Sequence, residues 1–267
     1  MSVVIVIPAR YGSSRFPGKP LANIGSRTML EHTCDTALVA AESLHGAKVV
    51  VATEDERILN HARTITGVIP VMTPDTCLTG SDRVLAAIDA LCLHPKVVIN
   101  LQGDAPFTPP SFLIQMAQAL LNYPEYAVAT PAVQLTWAEL DQFRDSKKIT
   151  PFSGTTVVIN ADQQALWFSK NIIPAIRHEE QLRQQSTHSP VYQHIGLYGY
   201  QLAALKQFVA LPESDYERWE GLEQLRLLEN GLNIRVEIVS YGDKSPMSGV
   251  DTPEDLVRVS QLWGEGA

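Results

Sequence analysis

Four short apolar runs, each followed by an amphipathic segment, constrain the fold of this chain more than any other feature. The runs are nearly continuous in β-branched and aliphatic residues, as in strands buried on both faces of a parallel sheet. They lie at residues 3–7, 48–52, 68–72 and 97–101. Segments with helical periodicity lie at residues 28–41, 55–64, 81–93 and 110–121. This βαβα order predicts a doubly wound, mostly parallel α/β sheet.

The pattern changes in the second half of the chain. It predicts a hairpin at 155–160 and 165–169, an exposed polar loop over 177–190, and strands at 194–200 and 232–239. One helix is predicted over 215–229, with a capping box at its start and Asn230-Gly231 at its end. Its buried stripe is predicted to consist of Trp219, Leu222, Leu225 and Leu228. Another helix is predicted to start at Thr252-Pro-Glu-Asp255.

Length, charge and cysteine usage exclude several classes of protein. The 267 residues fit one large domain or two small ones, and a formal net charge of −8 argues against a general nucleic-acid binder. No apolar stretch is long enough to span a membrane. The 3 cysteines form no Cys-x-x-Cys pair, which fits a reducing compartment. We therefore expect a cytoplasmic protein without a membrane or nucleic-acid partner.

The loop after the first strand is the first candidate site. It carries three cations, Arg10, Arg15 and Lys19, together with two glycines and two serines. Glycines let backbone N–H groups approach an anion closely and the cations neutralise it, so a phosphate chain is the natural ligand. A solvated basic loop is the alternative reading. The position of the loop after the first strand disfavours that alternative, because ligands of open α/β sheets bind beyond the carboxyl ends of the strands.

Two aspartates are candidate metal ligands. Asp104 follows the fourth apolar run, on the predicted sheet edge of the basic loop, and Asp251 stands just before the predicted cap at Thr252. A carboxylate near a polyphosphate requires a cation between them, and Mg²⁺ held by one or two carboxylates plus phosphate oxygens meets that need. Each aspartate could instead belong to an ordinary turn. Since no nucleophile motif and no zinc spacing occurs, phosphoryl-group chemistry is favoured.

Further polar residues could reach a cleft in the second half. Glu223 and Gln224 flank the apolar stripe of the helix predicted over 215–229 and could act there as hydrogen-bonding groups. Solvent exposure is the commoner outcome for residues so placed. His194 opens a predicted strand, where a lone histidine is more often structural than catalytic.

Eight motifs in sequence order give the chain a resemblance to a known family. They stand at residues 7–21, 51–55, 79–83, 99–106, 167–170, 194–200, 222–226 and 249–256. Together they resemble the sugar-acid cytidylyltransferases, and most specifically the 3-deoxy-manno-octulosonate (Kdo) cytidylyltransferases of Gram-negative cell envelopes. The resemblance implies a nucleotide-diphospho-sugar-transferase fold over 1–267 as a single domain. It also implies a CTP-binding half at about 1–135 and a β-rich sugar-binding and dimerisation half at about 136–267.

The resemblance implies a Mg²⁺-dependent homodimer that converts CTP and Kdo to CMP-Kdo and pyrophosphate for lipopolysaccharide biosynthesis. It implies that Lys19, Asp104 and Asp251 are catalytic and that the two aspartates hold the metal. The implied nucleotide-binding residues are Pro8, Ala9, Arg10, Ser13, Arg15, Lys19, Ala52, Thr53, Arg83 and Gln102. The implied sugar-binding residues are Lys170, His194, Tyr198, Glu223 and Gln224.

This chain departs from the family pattern at a few positions, mainly toward the sugar side. Ala105 stands where a Glu is usual, Asp82 lies in a Gly-Ser-Asp-Arg motif that is usually Gly-Thr-Glu-Arg, and Lys170 replaces an Arg. A Lys usual near Thr155 and Thr156 is missing. Lys cannot bind a carboxylate through two parallel hydrogen bonds as Arg does, so the preferred sugar acid could differ. The 8-amino analogue of Kdo is therefore an alternative substrate. A non-catalytic CTP-binding protein is a further alternative, which the retained Asp104 and Asp251 argue against.

Overall fold

The structure, a computed structural model, describes residues 2–12, 16–242, 252, 254–257 and 259–260. Strands and helices alternate through the first half: β1 (Val3–Pro8), β2 (Asn23–Ile24), β3 (Arg27–Thr28), α1 (Met29–Ser43), β4 (Lys48–Thr53), α2 (Glu56–Ala62), β5 (Val68–Met72), α3 (Gly80–Ala90), β6 (Val97–Asn100) and α4 (Pro110–Asn122). Strands β5, β4, β1 and β6 lie side by side in that order and are all parallel. The four predicted strands and four predicted helices are confirmed.

The second half adds an antiparallel, β-rich part to the same sheet. Its elements are β7 (Val128–Thr136), α5 (Trp137–Ile149), β8 (Thr155–Ile159), β9 (Ala165–Ser169), α6 (Glu179–Gln185), β10 (His188–His194), β11 (Tyr198–Gln201), α7 (Leu202–Ala210), α8 (Asp215–Glu220), α9 (Gln224–Glu229) and β12 (Ile234–Ile238). The sheet continues from β6 in the order β11, β7, β10, β8, β9, and β12 runs parallel to β7. The predicted hairpin is confirmed as β8 and β9.

Both faces of the parallel part are covered, which explains the continuous apolar runs. Along β1, Val3, Ile5 and Ile7 belong to a buried cluster that includes α1 and α4. The alternate residues Val4 and Val6 belong to a second cluster that includes α3 and α7. Successive side chains of a strand point to opposite faces, so each face needs its own apolar set. None of the helices within the described part of the chain is long and apolar enough to cross a membrane.

Three expectations for the second half are wrong, and the first two concern residues 177–200. The segment predicted as an exposed loop contains α6 and the start of β10, because Leu182 packs against a buried cluster that includes Trp137. Both oxygens of Glu179 also accept hydrogen bonds of 2.8 Å from Arg144, which anchors α6 to α5. The strand predicted over 194–200 is two strands, β10 and β11. A tight turn separates them, with the Leu197 amide 2.7 Å from the carbonyl oxygen of Ile195.

The single helix predicted over 215–229 is also wrong, because α8 and α9 are separate. Gly221 stands between them with φ +64°, a left-handed conformation that ends α8 and that glycine adopts without strain. Because the helix is interrupted, the residues of the predicted apolar stripe do not all lie on one buried face. Leu222 and Leu225 are buried as expected, whereas the side chain of Trp219 is 69% exposed.

The predicted ends of these helices are confirmed. Ser214 and Glu217 form the capping box at the start of α8, and Gly231 follows α9 with φ +72°. Thr252 and Asp255 exchange the hydrogen bonds of a second capping box, and residues 254–257 are helical.

Candidate active site

A cleft opens at the carboxyl ends of β1 and β6, the sheet edge where the sequence places the phosphate loop. Its volume is about 270 Å³. Eight of the predicted site residues line it: Pro8, Ala9, Arg10, Lys19, Arg83, Gln102, Asp104 and Glu223. The structure therefore brings together most of the residues assigned to the nucleotide and the first of the two candidate metal ligands.

Lys19 and Asp104 form an ion pair in this cleft. The Lys19 Nζ lies 2.9 Å from Oδ2 of Asp104, and the two side chains are 13% and 37% exposed. Gly18, with φ +73°, turns the chain just before Lys19, and a Cβ there would lie 3.0 Å from the Tyr11 ring. The pair joins the loop after β1 to the loop after β6. A polyphosphate can replace the Asp104 carboxylate as the partner of Lys19, and a metal ion can replace the Lys19 ammonium as the partner of Asp104.

Two glycines let the cleft walls approach each other. A Cβ on Gly103 would lie 3.0 Å from the carbonyl oxygen of Pro8, so the loop after β6 packs directly on the end of β1. A Cβ on Gly80 would lie 3.4 Å from both terminal atoms of Gln102. The Gln102 Nε2 donates to Oδ1 of the buried Asn100 at 3.1 Å, which fixes the orientation of the Gln102 amide.

The donor set in the cleft fits a magnesium ion that arrives with the nucleotide. Among the described residues, no group of three or more His, Cys, Asp or Glu side chains is placed to hold a metal by itself. Asp104 is a half-exposed carboxylate beside the cations that would bind phosphate. Mg²⁺ keeps several waters and is commonly bound by one or two carboxylates plus substrate phosphates. The carboxylate of Asp104, together with phosphate oxygens and water, would therefore provide enough ligands for the ion.

Ala52 and Thr53 lie beneath the cleft rather than in it. Both are fully buried, and neither lines the cleft. The Ala52 carbonyl accepts from the Ala9 amide at 2.8 Å, and the Thr53 carbonyl accepts from the Thr73 amide at 2.8 Å. These two hydrogen bonds hold the strand ends below the loop, and the assignment of Ala52 and Thr53 to the nucleotide stays a prediction.

Lys170 lies in the antiparallel part of the sheet, at the end of β9. Its Nζ donates to Oγ1 of Thr155 at 3.2 Å, and its backbone amide donates to Oε2 of Glu220 at 2.7 Å. The Lys170 carbonyl accepts from Nζ of Lys147 at 2.5 Å. Its backbone is thus held from both sides, while burial lowers the pKa of its amine.

His194 lies half-buried next to Lys170. Its Nε2 lies 2.8 Å from Oγ1 of Thr130, whose single hydroxyl hydrogen is committed to the Leu197 carbonyl, also at 2.8 Å. The network therefore assigns Nε2 as the donor and leaves Nδ1 as an acceptor. Burial, reinforced by the charge of Lys170, lowers the pKa of His194 to about 3. The ring is neutral at physiological pH.

Tyr198 and Gln224 complete this second group of residues. The Tyr198 hydroxyl donates to Oε1 of Gln224 at 2.9 Å, and the rings of Tyr198 and His194 lie 5.6 Å apart. Gln224 is only 3% exposed, and its Nε2 has no hydrogen-bond partner among the described residues. A buried unpaired donor is costly, which marks this nitrogen as a donor for a ligand. The adjacent Glu223 lines the nucleotide cleft, and burial raises its pKa.

Comparison with known proteins decides the family. A model of the family described as Cytidylyltransferase matches residues 4–236. The 3-deoxy-manno-octulosonate cytidylyltransferase of Maricaulis maris (strain MCS10) is 45% identical over 262 residues, which cover 98% of this chain and 97% of that protein. This chain belongs to the 3-deoxy-manno-octulosonate cytidylyltransferase family. The predicted family and enzyme class are thereby confirmed.

Solved structures agree with the fold of this cytidylyltransferase. The structure described as CMP:2-keto-3-deoxy-manno-octonic acid synthetase complexed with CTP matches it with a TM-score of 0.84. That chain is 35% identical, and the match covers 100% of both chains. The 4-diphosphocytidyl-2C-methyl-D-erythritol synthase of Anaerococcus prevotii, 13% identical with a TM-score of 0.55, shares the fold alone. The α/β fold class predicted from the sequence is confirmed.

Two departures of this cytidylyltransferase from the family pattern have local explanations. Asp82 accepts from the Thr79 amide at 2.8 Å and donates its own amide to the Thr79 hydroxyl at 3.1 Å, which is the capping box of α3. The acid at position 82 therefore caps the helix, a role that Glu31 fills in α1. Ala105 lies in a turn that its own carbonyl closes by accepting from the amide and the hydroxyl of Thr108, so the turn needs no side chain at 105.

The two sugar-side departures occupy one place in the structure. Lys170 stands where an Arg is usual, and its amine lies on Thr155, near which a Lys is usual. Of the two cationic positions in the family pattern, this chain therefore fills one, with the Lys170 amine, and Nζ of Lys147 lies beside it on the Lys170 carbonyl.

Three predicted site residues, Ser13, Arg15 and Asp251, lie outside the described residues. Sequence reasoning missed three residues that contact the site but were not among the predicted site residues. They are Glu54, Thr130 and Glu220. Glu54 lies within a motif of the resemblance, which could have pointed to it. No signal in the sequence distinguishes Thr130 or Glu220, since their roles depend on contacts across the sheet.

His194 should make the protein less stable in acid. Its pKa is about 3 in the folded state, against about 6.5 in an unfolded chain, so the unfolded state binds a proton first and stability falls as the pH drops below 6.5. Between pH 7.5 and pH 5 this residue should remove about 2 kcal/mol of unfolding free energy. Urea unfolding of wild type and His194→Gln at both pH values measures the difference.

The exposed His188 offers the matched control, His188→Gln, which should keep the pH dependence of the wild type. Carboxylates titrate equally in all three proteins, so their contribution to the pH dependence of the unfolding free energy cancels when the proteins are compared. An equal loss of stability in His194→Gln and wild type would contradict the assignment of His194 as a buried neutral ring.

Proposed function

We propose that this cytidylyltransferase transfers CMP from CTP to Kdo and releases pyrophosphate. The observation that carries the proposal is the cleft at the ends of β1 and β6, where Arg10 and Lys19 stand beside the carboxylate of Asp104. The full-length likeness to a CMP:2-keto-3-deoxy-manno-octonic acid synthetase complexed with CTP supports the choice of nucleotide and sugar acid.

The reaction is an in-line displacement at the α-phosphorus of CTP. The anomeric hydroxyl of the sugar forms the new O–P bond, the bond to pyrophosphate breaks, and the hydroxyl proton passes to solvent. Arg10 and Lys19 bind the phosphates and neutralise the departing pyrophosphate, for which Lys19 exchanges its contact with Asp104 for phosphate oxygens. When bound by Asp104 and Asp251, Mg²⁺ supplies further charge neutralisation and acidifies the hydroxyl.

The second group of residues, which contains Lys170, His194, Tyr198 and Gln224, supplies complementary partners for a sugar acid. The Lys170 ammonium suits the carboxylate of the sugar. The unpaired Nε2 of Gln224 suits an oxygen acceptor, and Nδ1 of His194 suits a hydroxyl donor. A site that reads polar groups by buried hydrogen bonds discriminates strongly against a ligand that leaves them unpaired. Glu223, the chain neighbour of Gln224, lines the nucleotide cleft.

We also propose a homodimer. Large apolar side chains in the second half support it, since Ile149, Phe152 and Trp219 are 84%, 76% and 69% exposed. Contiguous exposed apolar patches are typical of association surfaces, and Ile149 and Phe152 lie three residues apart in the chain. Sedimentation velocity at micromolar concentration measures the state, and a monomer throughout that range would contradict the proposal.

Pyrophosphate release tests the proposed reaction. The assay combines CTP, UTP, ATP or GTP with Kdo, its 8-amino analogue or a nine-carbon sialic acid, in the presence of Mg²⁺. We expect CTP with Kdo to be the best pair, with kcat/KM at least tenfold above the 8-amino analogue, which corresponds to about 1.4 kcal/mol.

The other outcomes each identify a different function. A reversed order of the two octulosonates would assign the 8-amino acid as the substrate. Preference for the sialic acid would contradict the choice of a Kdo-type sugar. Binding of CTP without release of pyrophosphate from any acid would favour a non-catalytic CTP-binding protein.

A further inference from the structure

Glu54 connects the loop after β1 to helix α3 at the carboxyl edge of the parallel strands. It follows β4 directly, and its Oε1 accepts a hydrogen bond of 2.9 Å from the Tyr11 backbone amide in the loop after β1. Its Oε2 lies 2.9 Å from Nη1 of Arg83 on α3. The same Nη1 donates to Oγ1 of Thr73, just after β5, at 2.7 Å. The Glu54 carboxylate thus joins the phosphate loop to α3 directly, and Arg83 extends the link to the end of β5.

Tyr11 is the point at which the phosphate loop is held. Its amide is bound by Glu54, and its carbonyl accepts from the Gly18 amide at 2.9 Å, which closes the loop between these two residues. The Arg57 guanidinium lies 3.3 Å from the centre of the Tyr11 ring. Arg10 and Lys19, which line the cleft, are the immediate neighbours of the two residues that close the loop. Their placement therefore depends on the anchor at Tyr11.

Arg83 is the second group that Glu54 holds. The arginine is only 4% exposed and lines the nucleotide cleft. The contact of its Nη1 with Oε2 of Glu54 is an ion pair without the alignment of a hydrogen bond, and Oε2 has no hydrogen-bond partner among the described residues. The link is therefore chiefly electrostatic. Removal of one partner from a buried ion pair leaves the other charge uncompensated.

We infer that Glu54 is a positioning residue for CTP, which sets the phosphate loop through the Tyr11 amide and sets Arg83 through its charge. This inference rests on the proposed function, because the ligand that the loop would bind is the triphosphate of CTP. Glu54 itself does not line the cleft, so its effect reaches the nucleotide through these two neighbours. No described hydrogen bond or ion pair joins Glu54 to the sugar-side residues, so a change at Glu54 should affect binding of CTP and not of the sugar acid.

Three variants test this role. Glu54→Ala removes both contacts. Glu54→Gln keeps an oxygen for the Tyr11 amide and removes the charge opposite Arg83. Glu56→Ala, in the exposed first turn of α2, is the matched control. The measurements are the Kd of CTP by calorimetry without sugar, KM for each substrate, and Tm.

We expect Glu54→Ala to raise the Kd and KM of CTP at least tenfold and to leave KM for Kdo within twofold. Glu54→Gln should raise both CTP values at least threefold but less than Ala, and Glu56→Ala should match wild type. If Glu54→Ala does not fold, the split between substrates in Glu54→Gln decides. An unchanged Kd for CTP in the folded variants, or an equal rise of both KM values, would overturn the inference. A wild-type protein that neither binds nor consumes CTP would instead reject the proposed function.

Discussion

Replacement of Asp104 by asparagine should lower kcat by about a thousandfold, which corresponds to about 4 kcal/mol of transition-state stabilisation. Asparagine keeps the shape of the side chain and removes the charge, so the variant loses the described carboxylate that would hold Mg²⁺ on the phosphates. It also loses the partner that Lys19 has before the nucleotide binds. Steady-state pyrophosphate release at saturating CTP and Kdo measures the effect.

Asp89→Asn is the control for this variant, because Asp89 is exposed near the end of α3. It should retain wild-type kcat, and the Tm of both variants should stay near that of wild type. Lys19→Met should also reduce kcat, and Asp104→Asn with Lys19→Met should cost less than the product of the single effects, since the two side chains contact each other. Near-normal turnover by Asp104→Asn would reject its assignment as a metal ligand.

The parallel half of the fold could be predicted because its signal is local. Val3 to Ile7 are all buried, alternately in the two clusters on either face of the sheet, and a strand buried on both faces must be apolar throughout. The segment containing α6 gave no such signal. It is polar, and its helix is held by the contact of Leu182 with the cluster around Trp137 and by the Glu179–Arg144 pair. These partners are distant in sequence, so composition favoured a loop.

The nucleotide cleft could be predicted for a similar reason. Parallel strands end at one edge, so Lys19 after β1 and Asp104 after β6 had to lie near each other once the topology was assigned. Side-chain contact could not be predicted in the same way. Ala52 and Thr53 share that edge and a family motif, yet they are fully buried. Glu54, the next residue, reaches the loop because the chain leaves the strand there.

Departures from a family pattern also need a structure before they can be interpreted. Asp82 is a departure whose carboxylate caps α3 at the Thr79 amide, the task that Glu31 performs at the start of α1. The substituted acid therefore keeps a structural role at the helix start. Lys170 has no comparable local task for its amine, whose described hydrogen bond goes to Thr155. Of the departures in this chain, Lys170 is therefore the one from which we expect an effect on the sugar.

Replacement of Lys170 by methionine should raise KM for Kdo at least thirtyfold and leave KM for CTP within twofold. Methionine has a similar length but no charge, so the carboxylate of the sugar would lose its cationic partner. A hydrogen bond to a charged group contributes about 2 kcal/mol, which corresponds to a factor of about thirty. Because Glu220 and Lys147 hold the backbone of Lys170, the methionine side chain should start from the same place.

Lys148→Met is the matched control, since Lys148 is 76% exposed and pairs with Asp145 on the surface of α5. It should leave both KM values unchanged. Lys170→Arg restores the residue usual in the family and keeps the charge, so its KM for Kdo should lie much closer to wild type than that of Lys170→Met. If Lys170→Met raises KM for CTP as much as for Kdo, the side chain acts on the site as a whole. If neither KM changes, the sugar carboxylate binds elsewhere, and the unpaired Nε2 of Gln224 becomes the donor to examine next.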